Sequence, residues 1–452
     1  MTSLRRPTPN KPRIALVANQ LKAALVCILF VWPMQPWAQA TPGIPGTPGP
    51  VQTPKQQGGG GGGFGFSIDL GSVLKAVQAM TSDDRYTSPD TSTRSRFEPN
   101  QVIVSWANAQ QTQAANAVQA AGGQLLANEA LPNVGLNIVV LSFATDAEAA
   151  QVLARLQATP GITADRHAIA YPMQQASMPT PAKQYAHELL KAPPKGSNKL
   201  SGAMLVGIID TEVTNADALV LANFKGKRIF ADTDKPAPSD HGNAVASIVA
   251  AGGNGFEGLA QGVSLRAAGV MREVAPGINA TYTLLVAQAL DWMIGEKVQV
   301  VNLSLGSASD AVLSGVISKS LSAGLVLVAA AGNGGPSAAP SYPAAYPGVI
   351  AVTALDAQKR LYARANRGAY IAIAAPGVDV WVPFNSSPTA NDSKGKYMSG
   401  TSFASPFVAA AVAQAVAAQP KATAQSVLQA LCSKAADVGP KGPEVGCGLL
   451  QM

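Results

Sequence analysis

Three residues in this chain have the types and order that nucleophilic chemistry needs. Ser402 lies in Ser399-Gly400-Thr401-Ser402-Phe403-Ala404-Ser405-Pro406-Phe407-Val408, ahead of the Ala-rich run 409–413. A Gly-Thr-Ser turn opening into a helix-favouring segment sets Ser402 at a helix N-terminus. Unpaired backbone N–H groups and the positive end of the helix dipole there can stabilise an oxyanion formed beside the hydroxyl. Pro406 suits a first helical turn, where its missing N–H costs little. A lone serine in this setting more often just caps its helix. Two upstream residues argue against that reading. Asp210 ends the apolar run Met204-Leu205-Val206-Gly207-Ile208-Ile209, and His241 lies in Asp240-His241-Gly242-Asn243-Ala244-Val245-Ala246.

These three motifs, in the chain order Asp, His, Ser, resemble those of the subtilisin-like serine proteases, the subtilases. Three further stretches strengthen the resemblance. Val300-Val301-Asn302-Leu303-Ser304-Leu305-Gly306 looks like the strand and turn beside that family's substrate cleft. Val326-Leu327-Val328-Ala329-Ala330-Ala331-Gly332-Asn333-Gly334 looks like its oxyanion motif, with Asn333 donating its side-chain amide. The segment Ser341-Tyr342-Pro343 and onward to Val352 resembles the floor of the specificity pocket, with Tyr342-Pro343 a candidate cis bond.

The resemblance implies an Asp210–His241–Ser402 triad working through an acyl-enzyme, with Asn333 and the Ser402 N–H as the oxyanion hole. It implies a pocket built from Ser304, Leu305, Gly306, Ala330, Ala331, Gly332 and Ser341. None of these is acidic, so an apolar or aromatic residue, not Lys or Arg, is expected before the cut bond. Polypeptides are the expected substrates. The sequence departs from the family at Glu212, where Gly usually follows, at Asn243 in place of Thr, and at Phe407 in place of His. None of these changes removes a catalytic group. They leave one alternative: a non-catalytic or self-inhibited binding protein on the same fold.

The elements that must position these residues read as alternating strands and helices over 173–452. That pattern implies an α/β, doubly wound, mostly parallel sheet with its chemistry at the carboxyl ends of the strands. Residues 206–210 form a buried strand ending in its acid, and 244–251 form the helix after His241. No Gly-x-Gly-x-x-Gly precedes Asp210, so a dinucleotide site is excluded. Ahead of it, residues 97–172 read β-α-β-β-α-β, the α+β ferredoxin-like order, with Asp146 capping the second helix. Subtilases carry an inhibitory propeptide of this shape, and Asp165 to Tyr171 resembles its cleft-binding tail, which would end at Tyr171. Proline has no N–H and fits poorly on the leaving side of a scissile bond. The bond from Tyr171 to Pro172 is therefore expected to stay intact, with cutting either shifted into residues 173–183 or so slow that the inhibitory domain stays attached.

Residues 1–40 read as an export signal. Arg5, Arg6, Lys11, Arg13 and Lys22 precede an apolar stretch over 23–32, and Ala38-Gln39-Ala40 is a small-x-small cleavage site. The apolar stretch is too short for a membrane span. Residues 41–96 form a Pro/Gly-rich linker with six glycines at 58–63, interrupted by one short amphipathic helix over 67–80. The formal charge of +7 lies partly in the leader, and the remaining basic residues are dispersed, with no Lys/Arg cluster and no interleaved aromatics, which excludes nucleic acid as a partner. Without the leader, Cys432 and Cys447 are the only cysteines, an even count that favours a disulfide in an exported protein. No carboxylate cluster suggests a metal, and calcium is left without a site. A monomer, periplasmic or extracellular, is expected.

Overall fold

Alternation along the first strand of the small domain is two-sided. Val102, Val104 and Trp106 pack with Val139, Leu141, Val152 and Leu156. Ile103 points the other way, into a cluster with Ile138, Val140, Leu290, Met293 and Val316. A strand that buries both faces must be covered from both sides, here by the domain's own helices and by the rest of the chain. The computed structural model describes residues 95–452 except 174, 177–184, 194–199, 201, 215–222, 231–235, 254–255, 384–394 and 440–442. The expected export signal, linker and helix over 67–80 lie outside the described residues. The described residues belong to one compact unit, Ile68–Met452.

The small domain comprises β1 (Phe97–Ala107), α1 (Gln111–Ala121), β2 (Gln124–Leu131), β3 (Leu136–Ser142), α2 (Asp146–Gln157) and β4 (Ile162–Pro172). Its strands are antiparallel in the order β4-β1-β3-β2, as a split β-α-β motif requires. Asp146 is not the cap of α2. Thr145 has the extended backbone of a cap and its side chain accepts from Glu148 N at 3.2 Å. Asp146, one residue on, accepts from Asn100 N at 2.7 Å.

Next come β5 (Gln175–Ala176), α3 (Tyr185–Leu189), β6 (Leu205–Asp210), β7 (Asn223–Ile229), α4 (Asp240–Ala250), β8 (Gly252–Gly253), β9 (Phe256–Glu257), β10 (Ser264–Gly269), β11 (Arg272–Ala275), β12 (Ile278–Tyr282) and α5 (Thr283–Gly295). They are followed by β13 (Val300–Leu303), β14 (Leu305–Gly306), α6 (Ala311–Ser322), β15 (Val326–Ala330), β16 (Ile350–Leu355), β17 (Ile371–Pro376), β18 (Val380–Pro383), β19 (Gly395–Ser399), α7 (Thr401–Ala418) and α8 (Ala424–Cys432). Seven strands make a parallel sheet in the order β17-β16-β15-β13-β6-β10-β7.

Strand β6 explains the near-continuous apolar run before Asp210. Val206 and Ile208 enter the cluster that holds α4 and α7, while Ile209 faces the cluster of α5 and α6. Helix α7 is enclosed by that sheet and by α4 and α8, so residues 401–413 are all buried. It has the length and composition to cross a membrane, but most of it lies inside the protein. At the C-terminal edge a disulfide joins Cys432, at the end of α8, to Cys447. The Tyr342-Pro343 peptide bond is cis.

The two parts share one sheet: β4 is extended by β12 and β11, and β14 also pairs with β4. Asp291 on α5 adds a polar clasp. Its Oδ1 accepts from the backbone N–H groups of Asn133 and Val134 at 2.7 and 2.8 Å, and its Oδ2 from Asn133 Nδ2 at 3.1 Å.

Candidate active site

Asp210 is fully buried at the carboxyl end of β6, where parallel strands deliver their last residues to the edge of the sheet. Its Oδ1 lies 2.6 Å from His241 Nδ1 and accepts from Thr211 N at 2.6 Å. A carboxylate can only accept, so the imidazole proton sits on Nδ1 and Nε2 is left as the basic nitrogen. His241 projects from the first turn of α4. Gly242 N donates to Thr211 Oγ1 at 2.8 Å, and a Cβ on Gly242 would collide with Thr211 O. Asn243 tightens the same junction: its Oδ1 accepts from Thr214 N at 2.9 Å, and its Nδ2 donates to Thr214 Oγ1 at 3.2 Å. The Asn243 substitution thus ties the loop after Asp210 to the histidine helix.

Ser402 is the second residue of α7, buried at its N-terminus. Pro406 is not in the first turn; it lies inside the helix. Its missing N–H would have bonded the carbonyl of Ser402. Ser304 Oγ donates to that carbonyl instead, at 2.8 Å. Ser304 therefore supports the start of the helix with its hydroxyl, and its backbone carbonyl accepts from Ser402 Oγ at 3.0 Å. His241 Nε2 has no hydrogen-bond partner among the described residues, so base and nucleophile are not joined in this state.

The amide of Asn333 is oriented by its neighbours. Its Oδ1 accepts from Thr401 N at 3.1 Å and from Thr401 Oγ1 at 3.0 Å. A backbone N–H needs an acceptor, so the oxygen must face Thr401 and Nδ2 faces away from it. That Nδ2 is buried and has no partner among the described residues. Ser402 N, the other donor, points at the carbonyl of Met173 at 3.3 Å. Thr401 sits inside the serine motif, yet its orienting role has no signature in the sequence.

A pocket of about 160 Å³ lies beside Met173. Gly306, Gly332 and Ser341 of the expected set line it, together with Asn333, Asn366 and the segment 338–340. Ser304, Leu305, Ala330 and Ala331 are fully buried and do not line it. Among the described residues Arg96 borders it and no carboxylate does. The tail of the small domain runs past this pocket. Tyr171, where the resemblance ends the propeptide, pairs with Gly306; Met173, two residues on, reaches Ser402. Among the described residues no cluster of His, Cys, Asp or Glu could hold a metal ion.

An α/β sheet with Asp, His and Ser converging at its strand ends, preceded by a docked ferredoxin-like domain, is the arrangement of a subtilisin-like hydrolase. Residues 201–449 match the subtilase family model, and residues 85–164 match the fervidolysin N-terminal prodomain. The chain is 33% identical to subtilisin DY of Bacillus licheniformis over 262 residues, 56% of this chain and 92% of that protein. It is 34% identical to a thermostable alkaline protease of Halalkalibacterium halodurans over 242 residues, 52% of this chain and 62% of that one. In fold it resembles fervidolysin from Fervidobacterium pennivorans, a keratinolytic enzyme related to subtilisin, with a TM-score of 0.65 and 22% identity. That match covers 79% of this chain and 60% of fervidolysin. The chain belongs to the subtilase family and is a serine endopeptidase.

Proposed function

We propose that the chain is an exported endopeptidase in which Ser402 attacks the peptide carbonyl, His241 Nε2 takes its proton, and Asp210 holds the imidazole. Asn333 Nδ2 and Ser402 N would bind the oxyanion, and water would then release the acyl-enzyme. The observation that carries this reading is the 2.6 Å contact between His241 Nδ1 and Asp210 Oδ1 at the end of a parallel strand, with the His241 ring 5.5 Å from that of Phe403, the residue after Ser402. The pocket is lined mostly by small and apolar residues, with Arg96 as its charged member and no carboxylate among the described residues. That lining supports a residue other than Lys or Arg before the cut bond, an apolar or aromatic one by the sequence reading. The prodomain acts as an intramolecular inhibitor, because its tail occupies the cleft that a substrate must enter. Export to the periplasm or the extracellular space is part of the proposal, supported by the leader's composition and the paired cysteines.

The test is a fluorophosphonate probe combined with casein hydrolysis. The native chain should label and cleave, and Ser402→Ala should do neither while keeping its fold. Undiminished casein hydrolysis by Ser402→Ala would overturn the assignment.

A further inference from the structure

We infer that the β11–β12 hairpin forms a second substrate subsite, one that takes large apolar side chains at the third and fifth residues, counting back from the residue facing Ser402 as the first. This inference rests on the proposed roles of Ser402 and His241 and names a substrate class: extended segments with apolar residues at alternate positions. The strand lying in the cleft shows the register. Met173 faces Ser402, with its N–H donating to Ser402 Oγ at 3.0 Å and its carbonyl accepting from Ser402 N at 3.3 Å. Alternate residues of a strand share a face, so Met173, Tyr171 and Ile169 point the same way. All three border the pocket that Gly306 and Ser341 line.

What meets Tyr171 and Ile169 on that face is the hairpin. Ile169 pairs with Tyr282, and the same antiparallel register carries Tyr171 onto Ala280. Across the hairpin, Ala275 pairs with Ile278. Ala275, Ile278, Ala280 and Tyr282 thus share one face, and with Ile169 and Tyr171 they form an apolar cluster of their own. Val274 and Leu285 pack at its border. Apart from Leu285, every member from outside the hairpin belongs to the strand in the cleft. Gripping a backbone needs only the edge of β12. A face of four apolar side chains does more than grip: it selects what covers it.

The hairpin holds its shape through contacts of its own. Pro276-Gly277 makes the turn; Gly277 has φ 73°, and its N–H donates to Glu273 Oε1 at 2.7 Å. At the other end the Arg272 guanidinium lies 4.8 Å from the centre of the Tyr282 ring, and its Nη2 donates to Tyr282 OH. The ring that Ile169 covers is therefore set before a substrate arrives, so little ordering is left for binding to offset. A polar side chain at the third or fifth residue leaves apolar surface unfilled, and each such change lowers kcat/KM by about 10-fold.

The experiment takes the full chain in the preparation that hydrolyses casein and measures kcat/KM on the nitroanilide of Ala-Ile-Ala-Tyr-Pro-Met, which copies residues 168–173. Three companions carry serine for the tyrosine, for the isoleucine, or for both. Each single change should cost about 10-fold and the double change about 100-fold. In Ile278→Ser the penalty for serine at the third residue should shrink to about 3-fold. If Ile278→Ser does not fold, the peptide series on the native chain decides. Equal rates on all four peptides, or no cleavage of the parent peptide by a chain that hydrolyses casein, overturn this inference alone. A full penalty that persists in a folded Ile278→Ser assigns the preference to another wall and overturns the hairpin subsite. A chain that hydrolyses no casein, or casein hydrolysis that persists in Ser402→Ala, overturns the functional reading itself.

Discussion

Two buried groups beside the prodomain tail respond to acid in opposite senses. His167 on β4 is enclosed, with Nδ1 2.9 Å from Gln101 Oε1 and its ring 5.4 Å from that of Tyr282. Burial lowers its pKa from 6.5 to about 4; Glu98 pulls it up and Arg272 pushes it further down. The folded chain thus favours the neutral ring. That stability is complete above pH 6.5 and is lost as pH falls towards 4, by about 3 kcal/mol at roughly 1.4 kcal/mol per pH unit. Asp310 caps α6, accepting from Val312 N and Leu313 N at 2.8 and 3.1 Å. Burial raises its pKa from 3.8 to about 6, against the hydrogen bonds it accepts. Its penalty is complete above pH 6 and is relieved as pH falls to 3.8, again by about 3 kcal/mol. His167→Asn and Asp310→Asn, each in a Ser402→Ala chain, separate the two. Urea unfolding between pH 7 and about pH 4.5 should show the native advantage over His167→Asn shrinking by about 2–3 kcal/mol. Over the same range the native chain should gain about 2 kcal/mol on Asp310→Asn. Difference curves that are flat, or that slope the same way, would refute the reasoning.

Two further outcomes are expected. Asn333→Ala removes the buried Nδ2 and should lower kcat by about 10²–10³ with little change in KM, a magnitude known from subtilisin itself; a fall confined to KM would assign the amide to substrate binding instead. Breaking the link from Cys432 to Cys447, which are 15 residues apart, should cost on the order of 3 kcal/mol through the freed unfolded chain. Alkylation without reductant followed by intact mass is the check, and two alkylated thiols would mean that no bridge forms.

What was legible in the sequence was whatever local pattern dictates. The run before Asp210 had to be a strand covered on both faces, and it is β6 in mid-sheet. The β-α-β-β-α-β order of residues 97–172 followed from apolar periodicity and the glycines at 122 and 123, and its strands pair as that motif demands. The cap of α2 was misread by one residue because Thr145 and Asp146 are both good cap types; the extended backbone at Thr145 decides between them. Less legible was anything set by partners far along the chain. Asp291 clasps two N–H groups more than 150 residues away, and nothing around it marks it as a clasp.

The start of α7 shows why the site itself was only partly readable. Proline in a helix removes a donor, so Pro406 suggests a first turn, where no donor is missed. The helix starts earlier because Gly400, at φ 152°, turns the chain so that Thr401 and Ser402 are already helical. That leaves the carbonyl of the nucleophile itself without its helical N–H. A buried carbonyl without a donor would cost about 1–3 kcal/mol, and here Ser304 supplies one from the end of a neighbouring strand. Ser304 is in turn held by Asn302 Nδ2 at 2.9 Å and lies 3.0 Å from Ser405 Oγ. Two motifs about 100 residues apart are thus one structural unit. The Asn-Leu-Ser-Leu-Gly stretch therefore has two tasks: its Leu305-Gly306 end pairs with the incoming chain, and its serine completes the helix that presents Ser402.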